Sequence, residues 1–270
     1  MTLKEKIGQL LIAGFVGYEY NEGIKTLIEE YKLGNVVLLT RNFQNIKQFH
    51  DLCLKLYTEI QKNSSVIPFM TITQEGGMVT RIVREATFFP GNMTLGATKE
   101  EYVYEIGRLM AEELFALGIN LNFAPSLDVN NNPDNPVIGV RSYSDNPQVV
   151  ARYGLDFIRG MQSTGMIATA KHFPGHGDTD VDSHFGLPSI NHSRERIENV
   201  ELVPFKKVIE EVKAIMPAHI FFRAFEENQI PVTISEKAIT GLLRKELGFK
   251  GLIISDAMEM KAIADNFGVA

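Results

Sequence analysis

Short, nearly unbroken apolar runs recur along all 270 residues of this chain, and their spacing limits the folds open to it. They occupy residues 10–15, 35–40, 67–73, 119–124, 166–170, 214–218 and 251–255. Runs of this kind mark strands covered on both faces, as in a parallel sheet. Longer segments of helical period lie between them, at residues 100–117, 147–164 and 197–212 among others. Helix-start signals agree. Ser193 precedes Arg194-Glu195-Arg196, and Ser235-Glu236 follows Pro231. Gly34, Gly118, Gly165 and Gly248 stand shortly before strands, where a helix C-terminus has to turn back. Seven strands, each followed by a helical segment, predict an α/β fold of repeated βα units.

Polar residues gather just past these strands. Arg41 and Asn42 follow the second, Gln74 and Glu75 the third, and Asp128 the fourth. Lys171 and His172 follow the fifth, His219 the sixth and Asp256 the seventh. In a parallel barrel all C-terminal strand ends open on one face, so such side chains converge on one mouth. A doubly wound sheet would collect them at a single switch point instead. Contributions from almost every strand favour a TIM-type (β/α)8 barrel, with residues 1–270 as a single domain. The count is one unit short, because only a helix-like segment at 257–267 follows Asp256. The expectation is a barrel incomplete at its C-terminus, whose open edge would leave backbone groups unpaired. Another chain or self-association covers that edge, or the missing strand comes from elsewhere, or the chain is a fragment.

Composition narrows the partners. A net charge of -6 gives no support to nucleic-acid or anionic-membrane binding. No apolar run approaches the roughly 18 residues that span a bilayer. Lys4 and Lys6 precede an apolar stretch at 7–16, but Glu5 and Gln9 interrupt the pattern of a signal peptide and no small-x-small cleavage site is evident. A cytoplasmic protein is expected. The lone Cys53 excludes an internal disulfide and a cysteine metal cage, and its helical surroundings suggest a buried core thiol.

The densest chemical constellation is KHFPGHGDTDVDSH, residues 171–184, with three histidines, three aspartates and a lysine in an irregular loop. Its spacing matches no zinc motif. The run Asp178-x-Asp180-x-Asp182 begins like a calcium loop, but Ser183 and Ser189 stand where glycine and glutamate are needed. A self-satisfied polar loop is one alternative and acid–base catalysis the other. In an extended segment Asp182 and His184 would face the same side. The carboxylate could then orient the imidazole and favour its protonated form. A histidine so held can protonate a leaving oxygen and later activate water. Asp256, delivered to the mouth by a buried strand, could attack an anomeric carbon.

These segments resemble the β-N-acetylglucosaminidases of glycoside hydrolase family 3. The resemblance rests on KHFPGHGDTDVDSH with Leu187-Pro188, on NFAPSLDVNNNPDNPVIGVRSYSDNP at 122–147, and on IISDAMEM at 253–260. It implies Asp256 as nucleophile, Asp182 and His184 as an acid/base dyad, and Arg141, Lys171 and His172 as groups holding the sugar. His176 and Asp128 would buttress the loops. Alternatives remain: a loop ion pair of Arg141 with Asp145, mutual packing of Lys171 and His172, and for His219 either a supporting role or a satisfied strand end. The implied activity is a retaining exo-glycosidase that removes terminal β-linked N-acetylglucosamine, often from peptidoglycan fragments, with no cofactor. A histidine donor also leaves room for phosphate in place of water.

One stretch departs from the family pattern. Thr73 stands where that pattern has Asp, a sugar-gripping residue, and Met78 stands where it has Arg. A hydroxyl in place of a charge-assisted acceptor costs about 1.5–3 kcal/mol of binding or transition-state stabilisation. The alternative function is therefore an impaired or non-catalytic relative that binds sugar or a partner chain.

Overall fold

The computed structural model describes residues 1–183 and 186–268. All seven apolar runs become strands: β1 (Ile12–Ala13), β2 (Asn35–Leu38), β3 (Met70–Ile72), β4 (Leu121–Asn122), β5 (Ile167–Phe173), β7 (Ala214–Pro217) and β9 (Leu252–Ile253). They form one parallel sheet in the order β1-β2-β3-β4-β5-β7-β9. Two further short strands, β6 (Ser189–Ile190) and β8 (Phe221–Phe222), pair outside this sheet. One cavity is lined by residues from both edge strands and from strands between them, including Ile12, Val37, Lys171, Met216 and Ile253. The sheet is therefore curled around that space, as an α/β, TIM-type barrel left open. Among the described residues β1 and β9 are its two edges.

Apolar side chains pack in two layers. The larger core lies between sheet and helices, and includes Val36, Met70, Ile72, Ala168, Ala170 and Ile215 from the strands. A smaller cluster of Leu121, Phe123 and Met216, with Ile12, Val37, Phe69, Ile167 and Ile254 against it, occupies the inside of the curl. Strands buried on both faces explain the lack of polar alternation in their sequences. Buried asparagines stitch neighbouring strands where the strands are too short to do so alone. Asn122 accepts from the Gln74 N–H at 2.9 Å and donates to its carbonyl at 2.8 Å, tying β4 to the end of β3.

Helices Glu100–Ala116 and Pro147–Ser163 match the expected spans within a residue. Asn146 caps the second by accepting from the Gln148 N–H, with Pro147 in its first turn. The segment read as one helix over 197–212 is instead two, Arg194–Asn199 and Leu202–Val208. Pro204 has no N–H to bond back one turn, so the ladder cannot run through this point. The buried Glu201 at the break binds Arg196 and Asn131. Cys53 is buried in helix Ile46–Asn63, and burial pushes its thiol pKa up, which makes it a core thiol. No helix among the described residues is long and apolar enough to cross a membrane.

Candidate active site

The polar residues past the strands do converge. Thr73, Arg141, Lys171, His172, His176 and Asp256 line a single cavity of about 1090 Å³. Gln9 and Asn35, near the opposite ends of the strands, line it too, so this volume combines the mouth with the gap between β1 and β9.

On one wall the groups form a closed network. Glu75 is buried and accepts from Lys171 Nζ at 2.6 Å, from Arg141 Nη2 at 2.8 Å and from Arg141 Nε at 3.0 Å. Burial opposes its charge, but Lys171 and Arg141 outweigh burial and hold the carboxyl well below its usual range. Burial and the Arg141 charge pull the Lys171 ammonium below its ordinary value in spite of Glu75 and Asp256. The Arg141 guanidinium moves the other way, because Glu75 more than offsets its burial. Placing three charges out of water is expensive, and apolar residues would serve stability as well or better. Such a cluster points to chemistry at the mouth.

A second network adjoins the first. Asp128 Oδ2 lies 2.7 Å from His172 Nδ1, and Oδ1 accepts from the backbone N–H of His176 at 2.6 Å and of His172 at 3.2 Å. Asp128 is fully buried, yet His172 and His176 hold its carboxyl well below the usual range. A carboxylate here makes His172 Nδ1 the donor, and Nε2 lies 3.5 Å from Arg141 Nη2. Lys171 and His172 are consecutive but both line the cavity, and the strand register shifts between Lys171 and Phe173. The peptide bond between them is cis. His176 lies between Thr179 Oγ1 at 2.7 Å and Ser183 Oγ at 3.3 Å, with its pKa lowered to about 4, chiefly by burial and by His172.

The alternatives for these residues are thereby corrected. Arg141 pairs with Glu75 on the same wall rather than with Asp145, and Lys171 and His172 each bind a carboxylate rather than packing on one another. Asp128 and His176 do support the loops. Glu75 was not among the expected site residues, although it stood at a strand end in the same polar cluster. Its role depends on Gly76 and Gly77, whose φ values of +89° and +56° turn the chain back on itself. Glu75 N–H then bonds the Val79 carbonyl at 2.9 Å.

On the opposite wall stands Asp256, half-buried just past β9. Its Oδ1 accepts from the Ala257 N–H at 2.8 Å. Burial would raise its pKa, but His172, this N–H, His219 and Lys171 together leave it lowered, so the carboxylate is ionised. His219 Nε2 donates to the Ala257 carbonyl at 3.0 Å, so this histidine supports the turn that carries Asp256. Asp182 belongs to the loop between β5 and β6, and its neighbour Ser183 lines the cavity. The exit of that loop is pinned where the Phe221 N–H donates to the Pro188 carbonyl at 2.9 Å. His184 lies outside the described residues. Among the described residues no cluster of three histidine, cysteine or carboxylate groups is placed to hold a metal ion.

Comparison with known proteins agrees with this architecture. The chain is 42% identical over 262 residues to the beta-hexosaminidase A of Pseudoalteromonas piscicida, covering 90% of this chain and 44% of that protein. It superposes on a glycoside hydrolase family 3 beta-N-acetylglucosaminidase from Paenibacillus sp. str. FPU-7 with a TM-score of 0.97 and 47% identity, covering 99% of this chain and 51% of the other. The NagZ structure from Neisseria gonorrhoeae in complex with N-trifluoroacetyl-D-glucosamine matches with a TM-score of 0.85 and 32% identity, over 93% of this chain and 75% of that one. The chain thus spans about half the length of the first two relatives. Residues 2–270 match the glycosyl hydrolase family 3 N-terminal domain, so the barrel, its polar mouth and its aspartate past the last strand are those of a chain that belongs to this family.

Proposed function

We propose that residues 1–270 form the catalytic domain of a retaining exo-glycosidase that releases terminal β-linked N-acetylglucosamine. The observation that carries this reading is an ionised Asp256 across one cavity from Arg141, Lys171 and His172, with Ser183 of the dyad loop on the same cavity. The Asp256 carboxylate attacks the anomeric carbon as the bond to the leaving oxygen breaks, giving a glycosyl ester. His184, oriented by Asp182, donates its proton to that oxygen; this role rests on the sequence resemblance. The neutral imidazole then takes a proton from water, whose oxygen attacks the anomeric carbon and frees Asp256. Arg141, Lys171 and His172 hold the sugar's hydroxyls and N-acetyl group. Their pairing with Glu75 and Asp128 supports this role, because it arranges the donors before substrate arrives.

The finer reading is hydrolysis of peptidoglycan fragments inside the cell, which the β-hexosaminidase names of the relatives leave open. Thr73 on the cavity wall favours weaker grip on a neutral sugar. The test is turnover of a chromogenic aryl β-N-acetylglucosaminide by the purified chain, with and without phosphate, alongside Asp256→Ala. Release of free sugar by the parent protein alone supports the hydrolase. A sugar phosphate as product makes it a phosphorylase, and equal rates in the variant reject Asp256 as the nucleophile.

A further inference from the structure

Four permanently or ordinarily cationic side chains line the cavity, Arg41, Arg81, Arg141 and Lys171. Two of them are matched by Glu75, through Lys171 at 2.6 Å and Arg141 at 2.8 Å. The other two have no carboxylate at ion-pair distance among the described residues. Arg41 uses its Nε on the Phe15 carbonyl at 2.9 Å. Arg81 Nε is buried with no hydrogen-bond partner among the described residues. Arg81 is carried there by the return of the β3 loop, where Gln74 Oε1 accepts from its backbone N–H at 2.7 Å. Arg41 follows β2 and Thr73 follows β3, and these strands pair at Leu38 and Ile72, so both residues share a sector of the mouth. The carboxylates that line the cavity, Asp256 and Glu259, lie past β9 on the other side.

Cations crowd Glu75, although Asp128 and Asp256 add negative charge at Arg141, and Asp256 does so at Lys171. Arg81, Arg141 and Lys171 all act on that one carboxylate. Burial, with the Arg141 charge, holds the Arg81 guanidinium below its ordinary value despite Glu75. A half-buried guanidinium whose Nε finds no acceptor among the described residues is a strong site for an oxyanion that takes two of its N–H groups at once.

We infer that the sugar accepted by this cavity carries a tetrahedral oxyanion, a sulfate or phosphate ester, held by Arg81 with Arg41 and the Thr73 hydroxyl beside it. This rests on the glycosidase reading and adds the substrate class to it. Thr73 is then a fitting residue for the sector, because a carboxylate there would occupy Arg81 and repel the ester. The same sector serves a neutral sugar less well.

Titration calorimetry on the full chain tests this with N-acetylglucosamine, its 4- and 6-sulfates, its 6-phosphate and inorganic phosphate, at fixed salt. At least one ester should bind tenfold or more tightly than the neutral sugar. Arg81→Met should bring the two within about twofold of each other, Arg81→Lys should keep part of the preference, and Thr73→Asp should invert it. Equal affinities in the parent protein, or a preference that survives both Arg81→Met and Thr73→Asp, overturn the inference. Inorganic phosphate binding as tightly as the phosphorylated sugar overturns the assignment of the anion to the sugar. Turnover of neutral and sulfated aryl glycosides separates the two readings. Turnover of the neutral compound with no ester preference in rate or binding sinks the anion site alone. An Arg81-dependent ester preference in binding, with no turnover of either compound, upholds the anion site and sinks the glycosidase.

Discussion

The two walls of the cavity are built differently. From β3 to β5 the wall is a closed set of partners: Glu75 with Arg141 and Lys171, and Asp128 with His172 and the His176 backbone. From β9 to β1 it consists of two-residue edge strands, with Leu10, Leu11 and Leu252 exposed beside them. The groups proposed to hold the sugar stand on the closed wall, and Asp256 stands at the edge. Donors that must not move are locked by buried partners, at a cost in desolvation. The aspartate is held by its own turn, through Ala257 and His219.

That contrast predicts where substitutions act. The largest effect belongs to Asp256→Ala, which should lower turnover of an aryl N-acetylglucosaminide by about three decades or more and leave the unfolding midpoint nearly unchanged. A matching loss of stability would mean that the edge wall leans on this carboxylate. Glu75→Gln should do the opposite kind of damage. It strands two buried cations and should cost about 3–5 kcal/mol in a urea titration, because breaking a buried ion cluster from one side leaves charge uncompensated. A cost under about 1 kcal/mol would show that the closed wall relaxes freely.

Next is the response to acid. His176 has a folded pKa lowered to about 4 against an ordinary 6.5, so the unfolded chain takes up its proton first as pH falls. Its contribution is full above pH 6.5 and is lost on the way down to pH 4, about 3 kcal/mol in all. Glu75 and Asp128 also have lowered values, so their contribution is present above the ordinary carboxylate range and disappears below it. Denaturant midpoints should therefore fall from pH 6.5 to 4, and His176→Gln should flatten that slope; a slope that persists in the variant assigns it to another group.

The smallest effect concerns the joint between loops. Asn135 donates to the His176 carbonyl at 2.9 Å and accepts from the Val137 and Ile138 N–H groups at 2.9 and 2.7 Å. It ties the turn that carries Arg141 to the loop after β5. Asn135→Ala should cost about 1–3 kcal/mol, since buried N–H groups are left without acceptors. Unchanged denaturant midpoints would show that water replaces the amide.

Much of this was legible in the linear chain. The strand runs were visible because a strand covered on both faces needs apolar residues at successive positions. Asp256 and Lys171 were visible as polar residues where such runs stop. The break at Glu201 could have been read from Pro204, whose missing N–H bars a continuous helix. Glu75 and Arg81 were harder. Both were present in the third-strand segment, but nothing local says that one is the counter-ion of Arg141 or that the other has a buried Nε with no partner among the described residues.

The sequence by itself determined the βα rhythm, the side on which the strands end and the segments that carry the family's chemistry, because period and polarity are properties of neighbouring residues. Only the tertiary structure decided which charge meets which. Glu75 and Arg141 are 66 residues apart, and they meet because the sheet curls and two loops fold over its end. In a buried mouth the partner of a charge sets its protonation and its freedom to bind, and that partner is chosen in space rather than along the chain.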